Sequence, residues 1–391
     1  MDDELNVGSV NDVNTEENKI NNNNNNDEFR KKILKIVTII VGIAILFLII
    51  LFIASLFFKK NYTYSELENL LKDSAIKFYS ENKKELPKSE GHIVMIKSST
   101  LIDAGYMKDF SSYTKKNISC TGTVTVQKSG KEYVYTPKLD CGSDYTTISL
   151  KDKIIKKQGV ITTGDGLYNL NNSYVFRGEN VNNYLQLDNR LWRIVKINND
   201  DTIQLILNDK MKQNIYWDNR YNIEMKYISG INDYSKSRIY DRLIKYYNST
   251  NKDPLLSEDD KTKLTKFNAC ISKRDASDTS RDGSVECSQI LENQNISLLP
   301  AYDYMNASID PNCTKILSVS CQNYNYLVTD FEWWLATASL KNTTLVFGVN
   351  DGVVSSSNAS NYKGVRPVVY LKSDILYVSG NGTETNPYKV R

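Results

Sequence analysis

Six cysteines, one histidine and an arginine set inside an apolar run are the residues of this chain whose types could do chemistry. The cysteines fall into neighbouring pairs: Cys120 with Cys141, Cys270 with Cys287, Cys313 with Cys321. An even number, with none before residue 120, points to disulfides in an exported region. The expected pairing joins those neighbours. Metal binding is the alternative, but no CxxC spacing occurs and histidine is nearly absent. A catalytic triad, a histidine general base or a His-rich metal site would have to use His92, the single histidine. No two carboxylates form a recognisable acid–base pair. The Gly-Asp-Gly at 164–166 lacks the rest of a phosphate loop. Neither catalytic residues nor a cofactor nor a metal site is expected. The net charge of +3 is spread along the chain, so no basic stripe argues for nucleic acid.

The arginine is Arg366, in "YKGVRPVVYLKS" at 362–373. Val365, Val368, Val369, Tyr370 and Leu371 mark a buried strand. A guanidinium rarely enters a core unpaired, and Pro367 has no N–H for a sheet ladder. Two roles are open to Arg366: a structural fork bonding carbonyls or a carboxylate, or a contact to an anionic ligand. Asp330, Glu332 and Asp351 are the candidate partners. Gly364 would supply a free dihedral at the strand entry.

The elements that carry these residues begin with "IVTIIVGIAILFLIILFIASLFF" at 36–58, long and apolar enough to span a bilayer. No A-x-A cleavage site follows it, so a retained anchor within 33–60 is expected. Arg30, Lys31, Lys32 and Lys35 precede it, and Lys59 and Lys60 follow. That bias places the N-terminus in the cytoplasm and the C-terminal part outside the cell. Residues 1–32, acidic and Asn-rich, are expected to be a disordered tail. A stem over 61–152 starts with a helix at 61–85, capped by Thr63 or Ser65, with Leu67, Leu70, Leu71, Ala75, Ile76 and Tyr79 as its stripe. This helix and the anchor could form nearly one rod. A hairpin turning at Ser129-Gly130 follows, stapled at its open end by Cys120 and Cys141. From about 160 the texture becomes short strands, Gly/Asn turns and many tyrosines, with a helix at 234–249 and a polar excursion over 250–300. The fold class is α+β.

Two groups of motifs carry a resemblance. "NNYLQLDNRLWRIVKINNDDTIQLI", "YNYLVTDFEWWLATAS", "GVNDGVVSS" and "GVRPVVYLKS" occur in this order. They resemble an uncharacterised domain family of bacterial surface proteins. The part 155–391 is also similar to the C-type-lectin-like fold in its formylglycine-generating-enzyme version. The resemblance implies a lectin-like head, with "GVRPVV" in a closing sheet beside the strand carrying Trp333 and Trp334. It also implies an extracellular glycan or protein as ligand. Trp192, Trp333, Trp334, Arg366 and Asp351 are the structural or ligand candidates. Adjacent tryptophans in a strand face opposite ways, so one belongs to the core and the other to the core or to a sugar platform. "NDGVVSS" and "DPNC" read as turns, with calcium as the alternative. The related oxidases use paired cysteines; Cys313 and Cys321 lie in the corresponding part without matching the motif. The stem vaguely resembles pilin-like stalks but lacks their processing site. The expectation is a single-pass surface protein with a binding or adhesion head. The alternatives are a structural envelope or pilin-like protein without a discrete ligand, and an oxidase-like enzyme.

Overall fold

The computed structural model describes residues 14–57, 61–89, 92–114, 118–129, 132–251 and 253–391. The chain divides into two compact units, Met1–Thr146 and Thr147–Arg391, each with its own hydrophobic core.

The first unit opens with α1, Asn14–Phe57. Its window Glu28–Ile50 has a mean hydropathy of 3.1 and no buried share. A helix apolar on every face has no side to turn to water, and this one is long enough to cross a membrane. Composition predicts a disordered segment through residue 32, yet the helix already runs from Asn14. Extending a helix that the apolar segment has nucleated adds one bond per residue and needs no second nucleus. Residues 1–13 lie outside the described residues. So do 58–60, on which the expected rod between the two helices depends.

Helix α2, Tyr64–Glu81, has the capping box that its first residues suggest. The Glu66 N–H donates to Thr63 Oγ1 at 3.3 Å, and the Thr63 N–H donates to the Glu66 carboxylate at 2.9 Å. Leu67, Leu71, Ala75 and Tyr79 are buried, while Ile76 turns outward. They share a core with an antiparallel sheet of β1 (Ile93–Lys97), β2 (Thr121–Ser129) and β3 (Glu132–Asp140). The register pairs Ser129 with Glu132; the expected turn at Ser129-Gly130 runs into residue 130, which lies outside the described residues. The Cys120–Cys141 disulfide closes the open end of β2 and β3.

The second unit begins at residue 147 rather than near 155. Leu150 and Ile154, on the helix Leu150–Gln158, are fully buried in its core and so bring that helix into the unit. Its main sheet contains β4 (Gly166–Leu170), β5 (Ser173–Arg177), β6 (Tyr184–Leu187), β7 (Arg190–Ile197) and β8 (Ile203–Leu207). Strand Val368–Leu371 pairs with β8 on one side and with Leu264–Thr265 on the other. All of these pairings are antiparallel. The chain end returns to the start of the unit: Tyr184 N–H donates to Gly382 O, and Tyr388 N–H to Tyr184 O. A second sheet holds Trp333–Ala338, Leu345–Asn350 and Val353–Asn358.

The segment 250–300 is not an excursion. Leu264 pairs with Leu371, and Phe267–Cys270 pairs with Ile290–Gln294. Leu255, Leu256, Phe267, Ala269 and Ile296 join the core. Polar residues between them hide this from a composition count. Cys270–Cys287 and an enclosed pair, Arg274 with Glu286 at 3.0 Å, hold this part together. A second enclosed pair joins β7 to the helix Ala301–Ala307 through Lys196 Nζ and Asp303 Oδ1 at 2.8 Å.

Four phenols inside this unit give a pH prediction. Burial pushes Tyr234, Tyr304, Tyr326 and Tyr370 well above their usual range. Each keeps its proton to higher pH when folded than when unfolded. Its contribution to stability is therefore complete below the unfolded phenol pKa of about 10 and is lost as pH rises beyond it. Tyrosinate absorbance of the full-length chain should show a block of phenols ionising together with loss of circular dichroism above about pH 10. Smooth titration of every tyrosine near pH 10 with the fold intact would contradict the buried set.

Candidate functional site

Arg366 lies just ahead of Val368–Leu371 and is 1 % exposed. Its Nε donates to Leu207 O at 2.9 Å, and its Nη1 donates to Leu327 O at 3.0 Å. The guanidinium carbon lies 4.8 Å from the Trp333 ring centroid. No carboxylate pairs with it among the described residues. Of the expected partners, Glu332 pairs with Lys363. Asp330 is exposed. Asp351 occupies a two-residue hairpin turn with Gly352, both at positive φ (44° and 78°), as a type I′ turn requires.

The neighbouring residues explain how an arginine and a proline fit here. Pro367 stands outside the ladder, and its carbonyl accepts from Leu207 N–H at 2.9 Å. Gly364 does not take a positive φ, so its expected role as a free dihedral is replaced by clearance. A Cβ there would lie 2.8 Å from Glu332 O. That contact lets Trp334 N–H reach Gly364 O and Gly364 N–H reach Glu332 O.

Trp192, Trp333 and Trp334 are all fully buried. Trp334 Nε1 donates to Ile215 O at 2.9 Å, whereas Trp192 Nε1 and Trp333 Nε1 are buried with no partner. None of the three offers an open platform for a sugar. All six cysteines are bonded, as 120–141, 270–287 and 313–321. Among the described residues no three His, Cys, Asp or Glu side chains gather as for a metal. The Asp310 carboxylate accepts from the Asn312 N–H and the Asn323 amide.

Beside Arg366 lies the feature that sequence reasoning missed. Arg193, on β7, is 6 % exposed and donates from Nε to Asn183 Oδ1 at 2.6 Å. Its guanidinium sits 3.8 Å from the Tyr184 ring centroid and 4.9 Å from that of Tyr326. It too has no ion-pair partner among the described residues. Both arginines line a cavity of about 660 Å³, together with Tyr326, Lys210, Asp209 and Phe331 among others. Burial, and next the charge of Arg193, holds the Arg366 guanidinium well below its usual range. Burial also lowers Arg193, against the pull of Tyr184, Tyr326 and Glu384. The Tyr326 hydroxyl is buried without a partner. The argument that singles out Arg366 applies equally to Arg193 in "LWRIV", a charge inside an apolar strand.

Comparison with family models, curated proteins and solved structures finds no match to this chain. The site therefore rests on its own geometry. Two guanidiniums held in place by carbonyls, an amide and aromatic rings, and open to a solvent-connected cavity, can bind an anion. Preset geometry spares such a site the entropy of ordering long side chains.

Truncating Arg366 removes the donors for two carbonyls. Leaving a buried acceptor unpaired costs about 1–3 kcal/mol. Arg366→Ala should therefore lower the denaturant midpoint of the full-length chain clearly. Arg366→Lys should also lower it, because an ammonium cannot span both carbonyls with a planar fork. An unchanged midpoint in both variants would remove the structural role.

Proposed function

We propose that this chain is a single-pass surface protein whose C-terminal unit captures an extracellular ligand in the cavity around Arg193 and Arg366. The observation that carries the reading is the pair of buried guanidiniums, neither ion-paired among the described residues, opening on a cavity of about 660 Å³. That volume lies within the roughly 300–1,000 Å³ of ligand pockets. The apolar N-terminal helix and three disulfides are compatible with a membrane-anchored or secreted protein with an extracellular domain. The reading of a retained anchor rests on the lack of an A-x-A cleavage site after the apolar segment, and that of a cytoplasmic N-terminal segment on the lysines and arginine ahead of it. The return of the chain end onto Tyr184 supports the lectin-like reading of this unit as a closed loop. The ligand is a glycan or a protein of the cell's surroundings.

Two measurements test this. Protease added to intact cells should remove the chain beyond residue 60 and spare the N-terminal segment; protection of the C-terminal unit would overturn the topology. The full-length chain in detergent should bind glycans or proteins from an extracellular panel. Arg193→Gln, still folded, should weaken that binding by about tenfold, or about 1.4 kcal/mol. Binding that ignores Arg193, or none to any panel member, would overturn the cavity as the binding site.

A further inference from the structure

We infer that the cavity is a carboxylate site and that its ligand is an acidic sugar, one pyranose-sized body carrying a single carboxylate. This rests on the binding reading above and names the ligand's chemistry.

The donors come first. Arg366 spends Nε and Nη1 on carbonyls, and its Nη2 has no hydrogen-bond partner among the described residues. Arg193 spends Nε on Asn183 and is clamped between two rings. A planar carboxylate matches guanidinium edges, and charge-assisted bonds of this kind are the strong ones. An anion here would add to the pull of Asp209 on Arg366 and of Glu384 on Arg193, neither of which forms an ion pair among the described residues, in offsetting the cost of two buried like charges.

Charge selects among anions. The lining carries three cations, Arg193, Arg366 and Lys210, against two carboxylates, Asp209 and Asp330. The surplus is one positive charge, which a single carboxylate neutralises. A phosphate dianion would exceed it and leave the site with an excess negative charge. The remaining lining selects the body of the ligand. The cavity is far larger than a bare ion needs. Its walls combine the rings of Tyr184 and Phe331 with the short polar side chains of Asn208 and Thr329. Arg193 and Lys210 Nζ already lie over these two rings, at 3.8 and 5.1 Å from the centroids, which leaves the other ring surface and the hydroxyl-sized partners to suit a sugar.

The test uses the full-length chain in detergent micelles and titration calorimetry. The probes are methyl glucuronide, methyl glucoside, glucose 6-phosphate, glucose 6-sulfate and a short peptide whose only anion is its terminal carboxylate. The glucuronide should bind at least about tenfold more tightly than each of the others. That preference should vanish in Arg193→Gln and shrink in Lys210→Gln, a half-buried rim position whose change leaves the core untouched. Equal affinity for glucoside and glucuronide overturns the inference, as does tighter binding of the phosphate, the sulfate or the peptide. So does glucuronide binding that neither variant weakens. If another ligand binds and Arg193→Gln abolishes it, the acidic-sugar inference falls while the binding reading stands. If no probe and no panel member binds, both fall.

Discussion

The second unit is held at one point by a single charged side chain. Arg366 bonds the carbonyl that ends β8, bonds the carbonyl of Leu327, and lies on the face of Trp333. These partners come from two stretches, one at Leu207 and one from Leu327 to Trp333, both remote from Arg366 in sequence. One planar fork thereby fixes the closing strand, the loop before the tryptophan strand and the main sheet together. A lysine could satisfy one of these contacts but not all three. Gly364 allows the same closure from the other side by letting two backbones approach.

This device has an electrostatic consequence. Arg366 is anchored by neutral carbonyls and an indole and has no ion pair among the described residues, only the through-space pull of Asp209. Arg193, nearby, is anchored by an amide and two phenol rings and likewise has no ion pair among the described residues, only the pull of Glu384. Buried pairs elsewhere in the unit, Arg274 with Glu286 and Lys196 with Asp303, are neutralised inside the protein. The same fold thus contains both solutions. Arg274 has a carboxylate opposite it, whereas Arg177 and Arg281, like Arg366, are held by backbone carbonyls with no ion pair among the described residues; what sets Arg193 and Arg366 apart is that they line a cavity. That opening is what would let a counter-charge reach them from outside.

Much of this was legible in the residues. The capping box at Thr63 and Glu66, the helix around Ile239 and Leu243, and the strand near Arg366 follow from local propensity and period. The segment 250–300 was not, because its apolar residues are scattered among polar ones and their partners, such as Leu371 for Leu264, are remote. The helical reach back to Asn14 was hidden because Asn-rich composition argues against it while an adjoining apolar helix can extend into it. Arg366 was legible as an anomaly, but its partners were not. Acidic neighbours in sequence suggested a carboxylate, and the fold supplied carbonyls from Leu207 and Leu327 instead. Arg193 carried the same anomaly in plain view. Only the tertiary arrangement shows that the two anomalies meet.

The most direct measurement is a crystal structure of the chain grown with methyl glucuronide. The account predicts the sugar's carboxylate within about 3 Å of Arg366 Nη2 and of the Arg193 guanidinium, with the ring against Tyr184 or Phe331. A cavity closed by Asp209 or Asp330 swung inward to pair with either arginine would contradict it, since the counter-charge would then come from the protein itself.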